Sequence, residues 1–178
     1  MRDSANPILE NEAASLWDIG HGIACFEIHT KLNSFAPQVF EVLEPALDKG
    51  QSDFAGLVLG NDDPRAFSAG ADLRAFLGMI EARDWQGLNA YIARGQDLFL
   101  RMKYTPYPVV AAAHGLALGG GCEFMLNANA IVAHAELNAG LPETKVGIIP
   151  GWGGGTQLLQ RAAQSHAGSD APLADATA

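Results

Sequence analysis

Apolar positions along the chain fall into short runs separated by polar or glycine-rich breaks. Ser15–Ile19 and Ile23–Ile28 flank Gly20-His21-Gly22, a spacing that predicts a hairpin of two short strands. From Pro37 to Lys49, the residues Val39, Phe40, Val42, Leu43, Ala46 and Leu47 recur at helical spacing, with the proline allowed in the first turn. Ala55–Leu59 reads as a buried strand, and Asn61-Asp62-Asp63-Pro64 as a turn. Helices are predicted over about Asp72–Met79 and Trp85–Met102, the second ended by Tyr104-Thr105-Pro106-Tyr107-Pro108. Val109–Ala113 and Ile131–His134 predict further strands. Gly119–Gly121 opens a short helix to about Asn127, Pro142–Lys145 begins a single turn, and Gln157–Ala163 starts a last helix after the glycine-rich Gly151–Gly155.

Strands thus alternate with helices, and no internal repeat of fixed length is visible. The expectation is an α/β fold built on parallel-type buried strands. Residues 1–14 read as a polar tail, 15–162 as the folded core, and 163–178 as a linker-like or disordered end.

Composition narrows this picture. With 178 residues, 48% of them apolar, the chain has enough hydrophobic side chains to offset its conformational entropy, and its length suits one domain. The 20 glycines and the 17% of charged residues point to tight turns around a large interior. A net charge of −9 argues against nucleic acid or an anionic membrane as partner, while a few local cations suffice to bind an anionic small molecule. The longest apolar stretch, Val109–Leu118, is interrupted by His114 and Gly115 and is too short to span a bilayer. The start carries no signal-peptide pattern. Cys25 and Cys122 form no CxxC pair, so no disulfide framework, zinc site or other metal site is expected. A reducing cytoplasm is the expected location.

Several glycine or histidine motifs fail. Gly151-Trp152-Gly153 is followed three residues on by Thr156, which breaks the dinucleotide-binding pattern, and no Gly-Lys-Ser/Thr exists for a P-loop. His134-Ala135-Glu136 lacks the later PCxxC of a zinc deaminase. Ala66 stands where a nucleophile elbow around Ser68 needs glycine, so Ser68 reads as an ordinary loop serine.

Three segments hold together. They are Ala66-Phe67-Ser68-Ala69-Gly70-Ala71-Asp72-Leu73, Gly115-Leu116-Ala117-Leu118-Gly119-Gly120-Gly121-Cys122-Glu123, and Gly140-Leu141-Pro142-Glu143 running to Gly147-Ile148-Ile149-Pro150-Gly151. Their order and spacing resemble the crotonase family, whose best-known member is enoyl-CoA hydratase, over about Leu16 to Arg161. The resemblance implies a superhelix of repeated ββα units. It also implies an acyl-CoA substrate with no permanently bound cofactor, coenzyme A arriving as the thioester, and a homotrimer or hexamer in the intact family.

The chemistry that this resemblance implies has a physical basis. Adding water to an α,β-unsaturated thioester drives charge onto the thioester oxygen, which two preorganised backbone N–H donors can stabilise. Ala71 and Gly120 lie where the family's two oxyanion donors lie. Glu123 and Glu143, twenty positions apart, match its two catalytic glutamates, which hold water and move its proton. Two neighbouring carboxylates do not ionise freely, so one raised pKa and a coupled titration are expected. Taken singly, each glutamate also suits a helix first turn through the dipole.

Similar proteins hold the adenosine end of coenzyme A with backbone at Ala69, Ala71, Asp72 and Leu73, and near Lys31 and Leu32. Arg74 stands where a cation meets a CoA phosphate, though Arg74 and Lys31 also read as solvated charges. The segment Phe76–Leu100 is expected to line the acyl pocket through Met79, Ile80, Trp85, Leu88 and Tyr91, positions that helical core packing explains equally well. Cys122, His114 and His29 read as packing or interior residues.

The chain departs from the family pattern at Asn129, at Ala139, and in Trp152-Gly153-Gly154-Gly155 with Gln157-Leu158-Leu159. The family's closing helices, which follow the position of Arg161, find no match, so a C-terminally truncated domain is expected. The start, with Asn33-Ser34 after a strand, resembles crotonase domains fused to a 3-hydroxyacyl-CoA dehydrogenase, although no dehydrogenase motif is present in these residues. The implied activity is enoyl-CoA hydration in fatty-acid β-oxidation. The alternatives are an enoyl-CoA isomerase, which needs only the carboxylate at Glu143, and an inactive acyl-CoA-binding fragment.

Overall fold

A computed structural model describes residues 6–166. The strands are β1 (Leu9–Glu10), β2 (Ala14–Asp18), β3 (Ile23–Ile28), β4 (Gly56–Leu59), β5 (Ala66–Ser68), β6 (Val109–Ala113), β7 (Leu116–Leu118), β8 (Ala130–Ala133) and β9 (Asn138–Gly140). The helices are α1 (Pro37–Gly50), α2 (Leu73–Glu81), α3 (Trp85–Lys103), α4 (Gly120–Leu126) and α5 (Gly154–His166), with 3-10 turns at Lys31–Asn33 and Pro142–Val146.

Two sheets result. The larger has the order β1-β2-β3-β4-β6-β8 and the smaller β5-β7-β9. The β1-β2-β3 edge is antiparallel, and β3, β4, β6 and β8 run parallel. The predicted hairpin is β2–β3, turning at Gly20-His21-Gly22 with all three residues at positive φ. From β4 onward the chain repeats one unit: a strand for the large sheet, a strand for the small sheet, then helix (β4-β5-α2-α3, β6-β7-α4, and β8-β9 followed by the Pro142 turn and α5). The repeat is one of topology, which explains why the sequence shows none.

The core lies between the large sheet and α1, α3 and α4. The helical stripe of α1 buries Val39, Phe40, Val42, Leu43, Ala46 and Leu47. Phe35, Phe40, Phe99, Phe124 and Trp152 pack mainly edge to face, with Phe35–Phe124 centroids at 5.0 Å. Every residue of α4 is buried.

The structure corrects the sequence reading at three places. Within the stretch 1–14, Leu9–Glu10 pairs with β2, and Ala13 and Ala14 are buried, so this part is sheet rather than tail. At the other end α5 continues past residue 162 to His166; residues 167–178 of the expected linker lie outside the described residues. The three strands of the small sheet, at Ala66–Ser68, Leu116–Leu118 and Asn138–Gly140, match no element predicted from the sequence, because three-residue strands carry no periodicity to detect.

Candidate active site

The small sheet is parallel throughout, β5 with β7 and β7 with β9. Its three C-terminal ends therefore point the same way, the usual position of a ligand crevice in parallel sheets. Beyond β5 comes Ala69-Gly70-Ala71, beyond β7 Gly119-Gly120, and beyond β9 Leu141-Pro142-Glu143. The three sequence segments converge because three short strands deliver them to one edge.

They surround a cavity of about 740 Å³ lined by Ala69, Gly70, Ala71, Leu73, Phe76, Tyr91, Ile92, Gln96, Gly119, Gly120, Glu123, Pro142, Glu143 and the stretch Val146–Trp152. Glu123, in the first turn of α4, is 2% exposed. Its Oε1 accepts from the backbone N–H of Trp152 (2.8 Å) and of Gly154 (2.8 Å), so Oε2 lies outside both bonds. Burial raises its pKa against the lowering effect of those two bonds, and the Glu143 charge adds to the rise. Glu143 enters from the Pro142 turn. A Cβ on Gly119 would lie 2.7 Å from its Oε1, and its Oε2 is buried without a hydrogen-bond partner among the described residues. A buried acceptor left open costs free energy unless something donates to it.

The amides of Ala71 and Gly120 lie close together. A Cβ on Gly120 would sit 3.4 Å from Ala71 N and would collide with the Trp152 ring. Gly70 makes this approach possible: its φ is +89°, and a Cβ there would meet Leu118 O at 2.7 Å and Gly120 N at 2.9 Å. Gly120 opens α4, so its N–H is one of the first-turn donors without an intrahelical partner. The Ala69–Asp72 loop is tied down by Ala69 N to Leu32 O (3.0 Å), Phe35 N to Gly70 O (2.8 Å) and Asp72 N to Phe35 O (3.0 Å). This bridge uses the Gly70 carbonyl and the Asp72 N–H, on either side of Ala71, and leaves the Ala71 N–H out. Leu32 adopts φ 54°, a left-handed conformation that costs a non-glycine residue about 1–3 kcal/mol, at the point where it meets Ala69.

Of the expected site residues, Ala69, Ala71, Leu73, Gly120, Glu123 and Glu143 share the cavity. Leu32 reaches this group through its carbonyl bond to Ala69. Asp72 does not line the cavity. Its carboxylate caps α2 by accepting from Arg74 N (2.9 Å), and its own N–H is engaged by Phe35. Lys31 and Arg74 are exposed and have no ion pair among the described residues. Among the expected acyl-pocket residues only Tyr91 lines the cavity; Trp85 is 59% exposed, and Phe76, Ile92 and Gln96 take the places of Met79, Ile80 and Leu88. The sequence reading missed the Trp152 and Gly154 amides, since a backbone donor carries no residue-type signal.

The remaining candidates are structural. Ser68 lies in β5 and its Oγ accepts from Gly70 N (3.2 Å). His114 bonds Asp63 O, and His29 bonds Ser15 Oγ. Burial pushes the Cys122 thiol up to about 11, which leaves it unreactive at neutral pH. Among the described residues no group of three His, Cys, Asp or Glu is placed to hold a metal, and no helix is long and apolar enough to cross a membrane.

The sequence profile of a family described as enoyl-CoA hydratase/isomerase matches residues 18–173. A protein of Rickettsia felis named for the trifunctional enzyme of a fatty acid oxidation complex is 41% identical over 157 residues, 86% of this chain and 21% of that protein. A protein of Bacillus subtilis named as a probable 3-hydroxyacyl-CoA dehydrogenase is 35% identical over 158 residues, 89% of this chain and 20% of that protein. The chain thus spans about a fifth of the length of these curated relatives. Among solved structures, an enoyl-CoA hydratase from Bacillus anthracis superposes with a TM-score of 0.77 at 27% identity, covering 84% of this chain and 58% of that one.

Proposed function

The chain belongs to the enoyl-CoA hydratase/isomerase family, and we propose that it adds water across the 2,3 double bond of an enoyl-CoA thioester in fatty-acid β-oxidation. The observation that carries this reading is the pair of carboxylates on one cavity. Glu123 has one oxygen held by two amides, and Glu143 has a buried oxygen with no donor among the described residues. A single water between them would donate to both and be held for attack.

In this mechanism the thioester oxygen accepts from Ala71 N–H and Gly120 N–H, which draws electrons from C3. The water oxygen bonds to C3 as one carboxylate takes its proton. The electron pair of the double bond passes through the enolate to C2, which takes a proton from the glutamate pair, giving the 3-hydroxyacyl-CoA. The balance is one water consumed, with no oxidant, reductant or resident cofactor. One hydrogen-bond donor of this kind contributes about 10²–10³ in rate, and the proton transfers about 10²–10⁴. The raised pKa of Glu123 suits a group that holds a proton for part of the cycle. Backbone at Ala69 and Leu73, the Lys31–Leu32 turn and the free cations of Lys31 and Arg74 would receive the CoA moiety. We place the activity in the cytoplasm, and in a longer polypeptide or an oligomer of the family's trimeric or hexameric kind.

The test offers crotonyl-CoA and, separately, a 3-enoyl-CoA. Hydration of crotonyl-CoA that is lost in Glu143→Gln supports the reading. Double-bond migration without water addition would instead make the chain an isomerase, and CoA binding without turnover would make it an acyl-CoA-binding unit.

A further inference from the structure

Tyr91 is a cavity-lining residue whose hydroxyl is committed to a backbone carbonyl. It is buried in α3, its ring packs against Phe40 and Trp152 (5.6 Å between centroids in each pair), and its hydroxyl donates to the Phe35 carbonyl. That same carbonyl accepts from Asp72 N, while Phe35 N donates to Gly70 O. Phe35 and Ala71 are thereby paired as an isolated parallel bridge, the only ladder contact recorded for Ala71 among the described residues. One phenol therefore anchors, from the long helix α3, the carbonyl on which the Ala71 loop hangs. The other side of the loop is held by Leu32 O, in a turn that keeps a leucine and an asparagine at positive φ.

An aromatic ring would fill this space without a hydroxyl, so the hydroxyl calls for a separate account. Burial raises the phenol's pKa, so it stays a donor across the working pH range. Backbone donors in such a site act only when their direction is fixed in advance, and misplacement by about 1 Å can cost on the order of 10²-fold in rate.

We propose that Tyr91 is a positioning residue, its hydroxyl fixing Phe35 and through it the loop that aims Ala71 N–H at the thioester oxygen. The inference rests on the hydratase reading above, and it predicts a loss of carbonyl polarisation rather than of substrate affinity.

The experiment compares the full chain with Tyr91→Phe, which keeps the ring and its packing. The probe is para-dimethylaminocinnamoyl-CoA, whose absorption moves to longer wavelength when its thioester carbonyl is polarised. Tyr91→Phe is expected to shrink that red shift and to lower kcat on crotonyl-CoA by on the order of tenfold, with KM changed less than about twofold and the pH profile unmoved. Amide hydrogen exchange in the segment 69–73 should quicken, a readout that serves even if the variant is only partly active. An undiminished red shift with wild-type exchange would overturn the proposal, as would a rise in KM with kcat unchanged. A wild-type chain that polarises the probe but hydrates nothing would remove the hydratase reading alone, and the spectral comparison would still decide the role of Tyr91. A wild-type chain that binds the probe without any shift would overturn both.

Discussion

The two sheets of this molecule divide its labour. The six-stranded sheet carries strands of up to six residues, and its central strands bury Phe26, Leu57, Leu59, Val109 and Ala111 against α1, α3 and α4. The three-stranded sheet has strands of three residues each, yet the segments that carry Ala71, Gly120 and Glu143 each follow directly from one of its ends, while Lys31 and Leu32 come from the turn after β3. Glu123 lies one turn further along the helix that β7 launches. The main core and the candidate site therefore sit on different parallel ladders, linked by the aromatic cluster of Phe35, Phe124 and Trp152. Substitutions at the two sheets should separate turnover from folding.

The largest separation is expected at the carboxylates. Glu123→Gln and Glu143→Gln should each lower crotonyl-CoA hydration by about 10²–10⁴-fold, read as the loss of enoyl absorbance, while the folded fraction stays as in the wild type. Leu59→Ala should do the converse. Leu59 is fully buried in β4, and its truncation should cost about 2–5 kcal/mol in urea unfolding with kcat per folded molecule unchanged. Loss of turnover without loss of stability in Leu59→Ala would break the division.

Gly70→Ala sharpens the comparison because it touches both functions. The left-handed φ and the approach to Leu118 O make it cost about 1–3 kcal/mol, and the displaced Ala71–Gly120 pair should lower kcat as well. The smallest effect concerns pH. Burial raises the folded pKa of Glu123 above its ordinary value of 4.5. Its contribution to stability is therefore full below that value and is lost as pH rises through the folded pKa. Melting temperature across this window should fall more in the wild type than in Glu123→Gln, and parallel curves would contradict the assignment.

The same division explains what was legible in the sequence. Elements of the large sheet and the helix packed on it showed themselves through apolar runs and helical spacing: the hairpin around Gly20-His21-Gly22, the α1 stripe and the Val109–Ala113 run all appear close to their expected bounds. The small-sheet strands did not, because Ala66–Ser68 and Asn138–Gly140 are too short for alternation and pair with partners far along the chain. The segments that follow them were nevertheless readable, since Gly70 and Gly119–Gly120 are demanded by the close approach of two backbones. Acyl-pocket residues on α2 and α3 were poorly read: helical spacing says which residues share a face, not which face meets the cavity. The Trp152 and Gly154 amides that hold Glu123 depend on the path of the loop after Pro150 and leave no mark in residue type.

The central claim is that the ends of the small sheet assemble a water-adding site. Incubating the chain with crotonyl-CoA in deuterated water and reading the product by proton NMR tests it most directly. The expected product is 3-hydroxybutyryl-CoA carrying one deuterium at C2, formed by the wild type and abolished in Glu143→Gln. Crotonyl-CoA recovered unchanged beside wild-type protein that binds it, or hydration that survives in Glu143→Gln, would contradict the account.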